Sequence, residues 1–158
     1  MGNIETKLKA LGYTLPPPFV FPKANRTGCT QFGNLLLLSG HGLDLPRLPG
    51  VRQTGKFGVD IGVDEGYATA RAVALTMLST IKAHTGDLDR VKRVLRLFGM
   101  VNCTPEFTQP PQIIDGASDL FFELWGPQHG KLARSAVGHI SLPRGIAVEI
   151  NGEFELVQ

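Results

Sequence analysis

A chain of 158 residues, 42% of them apolar and 19% charged, is long enough for one domain whose core needs no covalent staples. With 16 basic against 14 acidic side chains the net charge is only +2, and no basic run occurs, so charge-driven nucleic-acid binding is not expected. No apolar stretch approaches the roughly 18 residues of a membrane span. The polar start (Asn3, Glu5, Lys7, Lys9) is not a signal peptide, and Cys29 and Cys103 stand far apart, outside any CxxC or Cys/His ligand spacing. A soluble, cytoplasmic protein with reduced thiols is the expectation.

In chain order, Asn3 can cap a short helix in which Ile4, Leu8 and Leu11 share a stripe and which Gly12 ends. Pro16-Pro17-Pro18 reads as a rigid extended spacer, so residues 1–30 form an N-terminal helix and Pro-rich extension of a single domain spanning 1–158. Leu35 to Leu38, bounded by Gly33 and Gly40, suit a strand covered on both faces. His41 to Gly62 is Gly- and Pro-rich and predicts a loop or irregular hairpin anchored by Val51 and Phe57. Gly62 to Thr85 is the strongest helix, with Gly62 as N-cap, Glu65 in the first turn and Gly86 as stop. Val91 to Val101 reads as a buried strand interleaved with Arg93 and Arg96. After Pro110-Pro111, the spacing of Ile113, Ala117, Leu120, Phe121 and Leu124 predicts a second long helix stopped at Gly126-Pro127.

Arg134 to Glu149 reads as two strands joined by a tight turn at Leu142-Pro143-Arg144-Gly145. Ile146, Val148 and Ile150 keep a period of two, which turns Glu149 to the opposite face. A carboxylate in an apolar strand needs a partner if buried, and Arg134 is the nearest in sequence. The pair is either a solvated couple on a sheet face, or a site that holds an anionic substrate through Arg134 and handles protons through Glu149. The element order predicts an α+β fold, one mixed sheet with two helices packed on one face. Self-association would cover the other face.

Several motifs then stand together: Gly33-Asn34 through Ser39-Gly40-His41, Asp87-Leu88-Asp89-Arg90-Val91, Gly116-Ala117-Ser118-Asp119, Ala133-Arg134-Ser135, Leu142-Pro143 and Val148-Glu149-Ile150. In this ordered set the chain resembles the Rid/YjgF family of reactive-intermediate deaminases, and within it the subgroup labelled "putative endoribonuclease". The resemblance implies a chorismate-mutase-like fold and a homotrimer with ligand clefts between subunits. It implies that Arg134 grips a substrate carboxylate, that Glu149 positions or protonates through water, and that Ser39 and Gly40 line the pocket. The chemistry agrees, since a guanidinium fork matches a carboxylate and a carboxyl can exchange protons. Neither cofactor nor metal is required.

The chain departs from the pattern at the pocket edge. Arg26 stands where deaminase members have tyrosine, His41 where many have Gln, Asp115 where many have Asn, and Ala136 where cysteine is common. Arg26 is either a second cation for a more anionic ligand or a surface residue, and His41 is a candidate proton shuttle. His139 reads as interior or interface packing, and His84 and His129 as solvated. The leading expectation is hydrolysis of small enamine or imine carboxylates of the 2-aminoacrylate kind. The alternative is a non-catalytic trimer that binds small carboxylates or ketoacids. A ribonuclease ranks last, because the sequence offers no paired histidines and no basic tract.

Overall fold

The computed structural model describes residues 2–158. Three helices, α1 (Asn3–Ala10), α2 (Val63–Thr85) and α3 (Pro110–His129), accompany five strands: β1 (Cys29–Phe32), β2 (Leu35–His41), β3 (Val91–Asn102), β4 (Ala133–His139) and β5 (Val148–Leu156). Among the described residues, no helix is long and apolar enough to cross a membrane.

The cap signals of α2 hold at both ends. Gly62 is its N-cap, Asp64 and Glu65 lie in the first turn, and Gly86 closes it in the left-handed region at φ 79°. α3 leaves helical angles at Gly126 (φ 71°, ψ −176°), where the sequence stops it, and one further turn runs on to His129. The two long helices approach closely because glycine stands at the contact. A β-carbon on Gly116 would lie 2.0 Å from the Tyr67 carbonyl oxygen, and one on Gly66 would lie 2.4 Å from Ile113 Cδ1. The cap of α1 differs from expectation. Gly2, not Asn3, precedes the helix, and the free N–H groups of Asn3 and Ile4 donate to the Asp89 carboxylate at 2.6 and 2.8 Å.

The sheet runs in the order β1-β2-β5-β3-β4, with only the β3–β4 pair parallel. The predicted terminal hairpin is therefore wrong. β3 lies between β4 and β5, since β4 returns beside β3 after the α3 crossover, whereas β5 pairs antiparallel with both β2 and β3. The reason is burial. Val91, Val94, Leu97 and Val101 make β3 an interior strand with need of two neighbours, and β5 alternates buried and half-buried along all nine residues. The Leu142–Gly145 segment survives as a short 3₁₀ turn within a longer connection.

Leu36, Leu38, Leu97, Ile150 and Phe154 point to the helices and close the core with Leu75, Leu78, Ile114 and Phe121. Leu35 to Leu38 are not covered on both faces within one chain. Leu36 and Leu38 are buried, but Leu37 stays 37% exposed and Phe32, beside Leu35, is 82% exposed on the open face. Around them lie the charged pairs Arg96–Glu153 and Arg93–Glu155.

Candidate active site

Where β2 outruns its neighbour β1, its pairing with β5 slips by one residue: Leu38 faces Gly152, yet His41 faces Ile150. The extra residue is a β-bulge at Ser39-Gly40, a device that redirects side chains at a sheet edge. It opens a cleft of about 290 Å³ beside Glu149.

Five interactions shape the cleft floor. A β-carbon on Gly40 would lie 2.0 Å from Glu149 Oε1, so the carboxyl rests directly on the glycine. The Ser39 hydroxyl donates to the Thr27 carbonyl at 2.6 Å and the Ser39 N–H to the Gly28 carbonyl at 3.0 Å, which ties the N-terminal arm over the bulge. His41 Nδ1 lies 2.6 Å from the Ser39 carbonyl oxygen, which must accept, so Nε2 is the acceptor for the Thr80 hydroxyl at 2.8 Å. With both nitrogens occupied, His41 braces the bulge. Burial moves its pKa below 6.5 despite the opposing Ser39 carbonyl, so the ring is neutral at physiological pH. The position that the sequence offers as a proton shuttle thus has both ring nitrogens engaged within the fold. Burial pushes the Glu149 carboxyl above its ordinary value, offset in part by the charge of His139. His139, on the same sheet face, keeps a buried Nε2 without a partner.

Phe19, Phe21 and Arg26 of the arm line the cleft, as do Arg144 and Ile146 from the segment before β5. The arm is thus more than a spacer. Val20 is 81% exposed, so Phe19 and Phe21 alternate inward, and Phe21 meets His41 edge-on at 6.5 Å between centroids. The signal was the Phe-Val-Phe alternation after the prolines, which sequence reasoning passed over. It also passed over Arg144.

Of the seven residues singled out by sequence, Arg26, Ser39, Gly40, His41 and Glu149 share this cleft. Arg134 and Asp115 do not. Arg134 is paired with Leu97 of β3, whose side chain faces the helices, while Glu149 is paired with Met100, three residues on along a stretch without a bulge. Three steps along a strand reverse the face, so within one chain Arg134 and Glu149 leave opposite sides of the sheet. The Arg134 guanidinium donates to Asp115 Oδ1 at 2.6 Å and Ser118 Oγ at 3.0 Å on α3. The intrachain convergence of the two is overturned by the interposed β3.

The family described as "YjgF/chorismate_mutase-like, putative endoribonuclease" matches residues 5–144, a span that includes Arg134 and ends before Glu149. A Trypanosoma cruzi protein called Protein TCP17 is 41% identical over 156 residues, covering 98% of this chain and 95% of that one. A crystal structure of a protein of unknown function from Agrobacterium tumefaciens superposes with a TM-score of 0.85 at 39% identity, covering 98% of this chain and 93% of that one. The crystal structure of a protein described as a "putative endoribonuclease" from Shewanella oneidensis gives 0.87 at 30% identity, with 98% and 100% covered.

Proposed function

Because the chain belongs to the YjgF/chorismate-mutase-like family, we propose that it hydrolyses small enamine or imine carboxylates, each site being shared between two copies of a homotrimer. The observation that carries this reading is the Glu149 carboxyl, raised by burial and seated on Gly40 in a cleft large enough for a small substrate. A carboxyl whose protonated form is favoured by burial is suited to exchange protons. In protonated form it delivers a proton to the enamine carbon. As carboxylate it takes one from the water that attacks the resulting imine carbon, passes it to the departing nitrogen, and takes back the hydroxyl proton as the carbonyl forms and ammonia leaves, which restores the starting acid. The balance is imine plus water giving 2-oxo acid plus ammonia, with orientation and a placed water as the main contributions.

Arg134 enters from a neighbouring copy. It cannot reach its own subunit's Glu149 across the sheet, but an open sheet face carrying Phe32 and Leu37 offers the surface on which copies could meet. On docking, the guanidinium exchanges or shares Asp115 for the substrate carboxylate, a bidentate match.

The test is subunit complementation. Arg134→Ala and Glu149→Gln should each lose hydrolysis of 2-aminoacrylate generated in situ. Refolded together at equal amounts, they should regain about a quarter of the wild-type activity, because in a cyclic trimer one neighbour pair in four unites the two intact halves. No recovery would overturn the sharing of the site between copies, and an inactive wild type would remove the hydrolase. One observation favours a second reading, a trimeric binder of small carboxylates: with both His41 nitrogens engaged, Glu149 is the titratable group left to move protons in the cleft. Tight calorimetric binding of ketoacids without turnover would decide for it.

A further inference from the structure

Two arginines line the Glu149 cleft, Arg26 from the N-terminal arm and Arg144 from the turn before β5, and neither has a carboxylate partner among the described residues. Arg26 makes a single 3.5 Å contact with the Asn25 side chain. Arg144 has no hydrogen bond or ion pair among the described residues. Five other arginines are matched, Arg52 with Asp60, Arg71 with Glu123, Arg93 with Glu155, Arg96 with Glu153 and Arg134 with Asp115, whereas Arg47 and Arg90, which also lack an acid among the described residues, lie outside the cleft. Among the described residues Arg144 is also one of two non-glycines held at positive φ, 57°. A left-handed arginine costs on the order of 1 kcal/mol and is retained where the surroundings fix it, commonly at ligand sites. The only acid in this cleft is Glu149, whose charge burial disfavours, and His41 is neutral there. The cleft therefore carries excess positive charge even before a neighbouring Arg134 is added.

We infer that Arg26 and Arg144 form a second anion-binding subsite, so that the cleft takes dicarboxylates: substrates with one carboxylate beside the reacting carbon and another on a short chain. The inference rests on the proposed hydrolase for the word substrate, though the subsite itself is a matter of binding. Phe19 and Phe21 provide an apolar wall for the connecting methylenes. A charge-assisted hydrogen bond to an anion corresponds to roughly 10- to 100-fold in affinity, reduced toward the lower figure by the exposure of both arginines.

The experiment compares two five-carbon probes, 2-oxoglutarate and 2-oxopentanoate, which differ by one carboxylate. Calorimetry on the full chain should show the dicarboxylate binding about ten-fold more tightly or better, with the ratio falling as salt rises. In Arg26→Gln/Arg144→Gln the ratio should collapse toward one. Equal binding of the two probes, no binding of either, or an unchanged ratio in the double variant overturns the subsite. Should that variant misfold, Arg26→Glu alone and the salt dependence of the wild-type ratio decide the matter, a salt-independent ratio counting against it. Turnover of the corresponding imines, made in situ by amino-acid oxidases, is read separately. Preferential binding without turnover removes the hydrolase and keeps the subsite, and turnover without dicarboxylate preference does the reverse.

Discussion

Gly40→Ala isolates the carboxyl position from the stability of the fold. The added β-carbon would lie 2.0 Å from Glu149 Oε1, 2.9 Å from Cδ and 3.1 Å from Cγ. A relaxed carbon–oxygen contact is about 3.2 Å or more, so the carboxyl must withdraw by roughly 1 Å. Moving the free end of a half-buried glutamate costs about 1 kcal/mol or less, and the melting temperature should fall by about 4 °C at most. A catalytic group displaced by about 1 Å, however, loses on the order of 100-fold in rate. In a deaminase assay following ammonia release, kcat should drop by about that factor while calorimetric binding of a ketoacid weakens far less. Gly42→Ala is the contrasting case, because its β-carbon would meet the Val148 carbonyl oxygen at 2.5 Å, backbone that cannot swing aside, and it should lower the melting temperature instead. A Gly40→Ala protein with wild-type kcat would refute the reasoning, since it would mean that the seat of Glu149 on Gly40 is irrelevant to the chemistry.

Other substitutions follow from the same geometry. Glu149→Gln should match the wild type in stability near pH 4 and exceed it at pH 8. A carboxyl raised by burial favours folding while protonated, and that advantage is lost as pH climbs from 4.5 through the folded value. Equal melting temperatures at pH 8 would contradict it. His41 has the opposite slope: its lowered pKa means the wild type loses stability as pH falls below 6.5. His41→Ala should lack that slope and, by stranding the Ser39 carbonyl and the Thr80 hydroxyl, cost about 2–4 kcal/mol in chemical denaturation. Gly116→Ala forces α3 off the Tyr67 carbonyl and should cost about 1–3 kcal/mol, or roughly 3–10 °C in melting temperature, with little change in the pH profile.

Local features were legible in the sequence, and partner choice was not. The Gly62 and Gly86 caps bracket α2 to the residue, because capping is decided within one turn. β3 was legible from its apolar run, as was the Gly126 break in α3. The error at β4 and β5 arose because period-two alternation names a face and no neighbour. Two strands close in sequence suggest a hairpin, and only the need of β3 for a second partner separates them. That one misplacement decides the site: with β3 between them, the register sends Arg134 and Glu149 to opposite faces, although each belongs to a motif read correctly. His41 was placed at the cleft edge by its position after Gly40, but its role depends on Thr80, 39 residues away. No local pattern shows that hydroxyl.

The order of synthesis meets an awkward constraint in this sheet. β5 occupies its middle, between β2 and β3, yet follows the other four strands in the chain and leaves the ribosome after them. Until it arrives, the β1–β2 pair and the β3–β4 pair have no hydrogen bonds to each other, and each shows a bare strand edge. Such edges attract other chains. Loss of β5 should therefore yield two sticky halves and not a slightly shortened protein. A fusion at the N-terminus, by contrast, leaves that closing strand untouched.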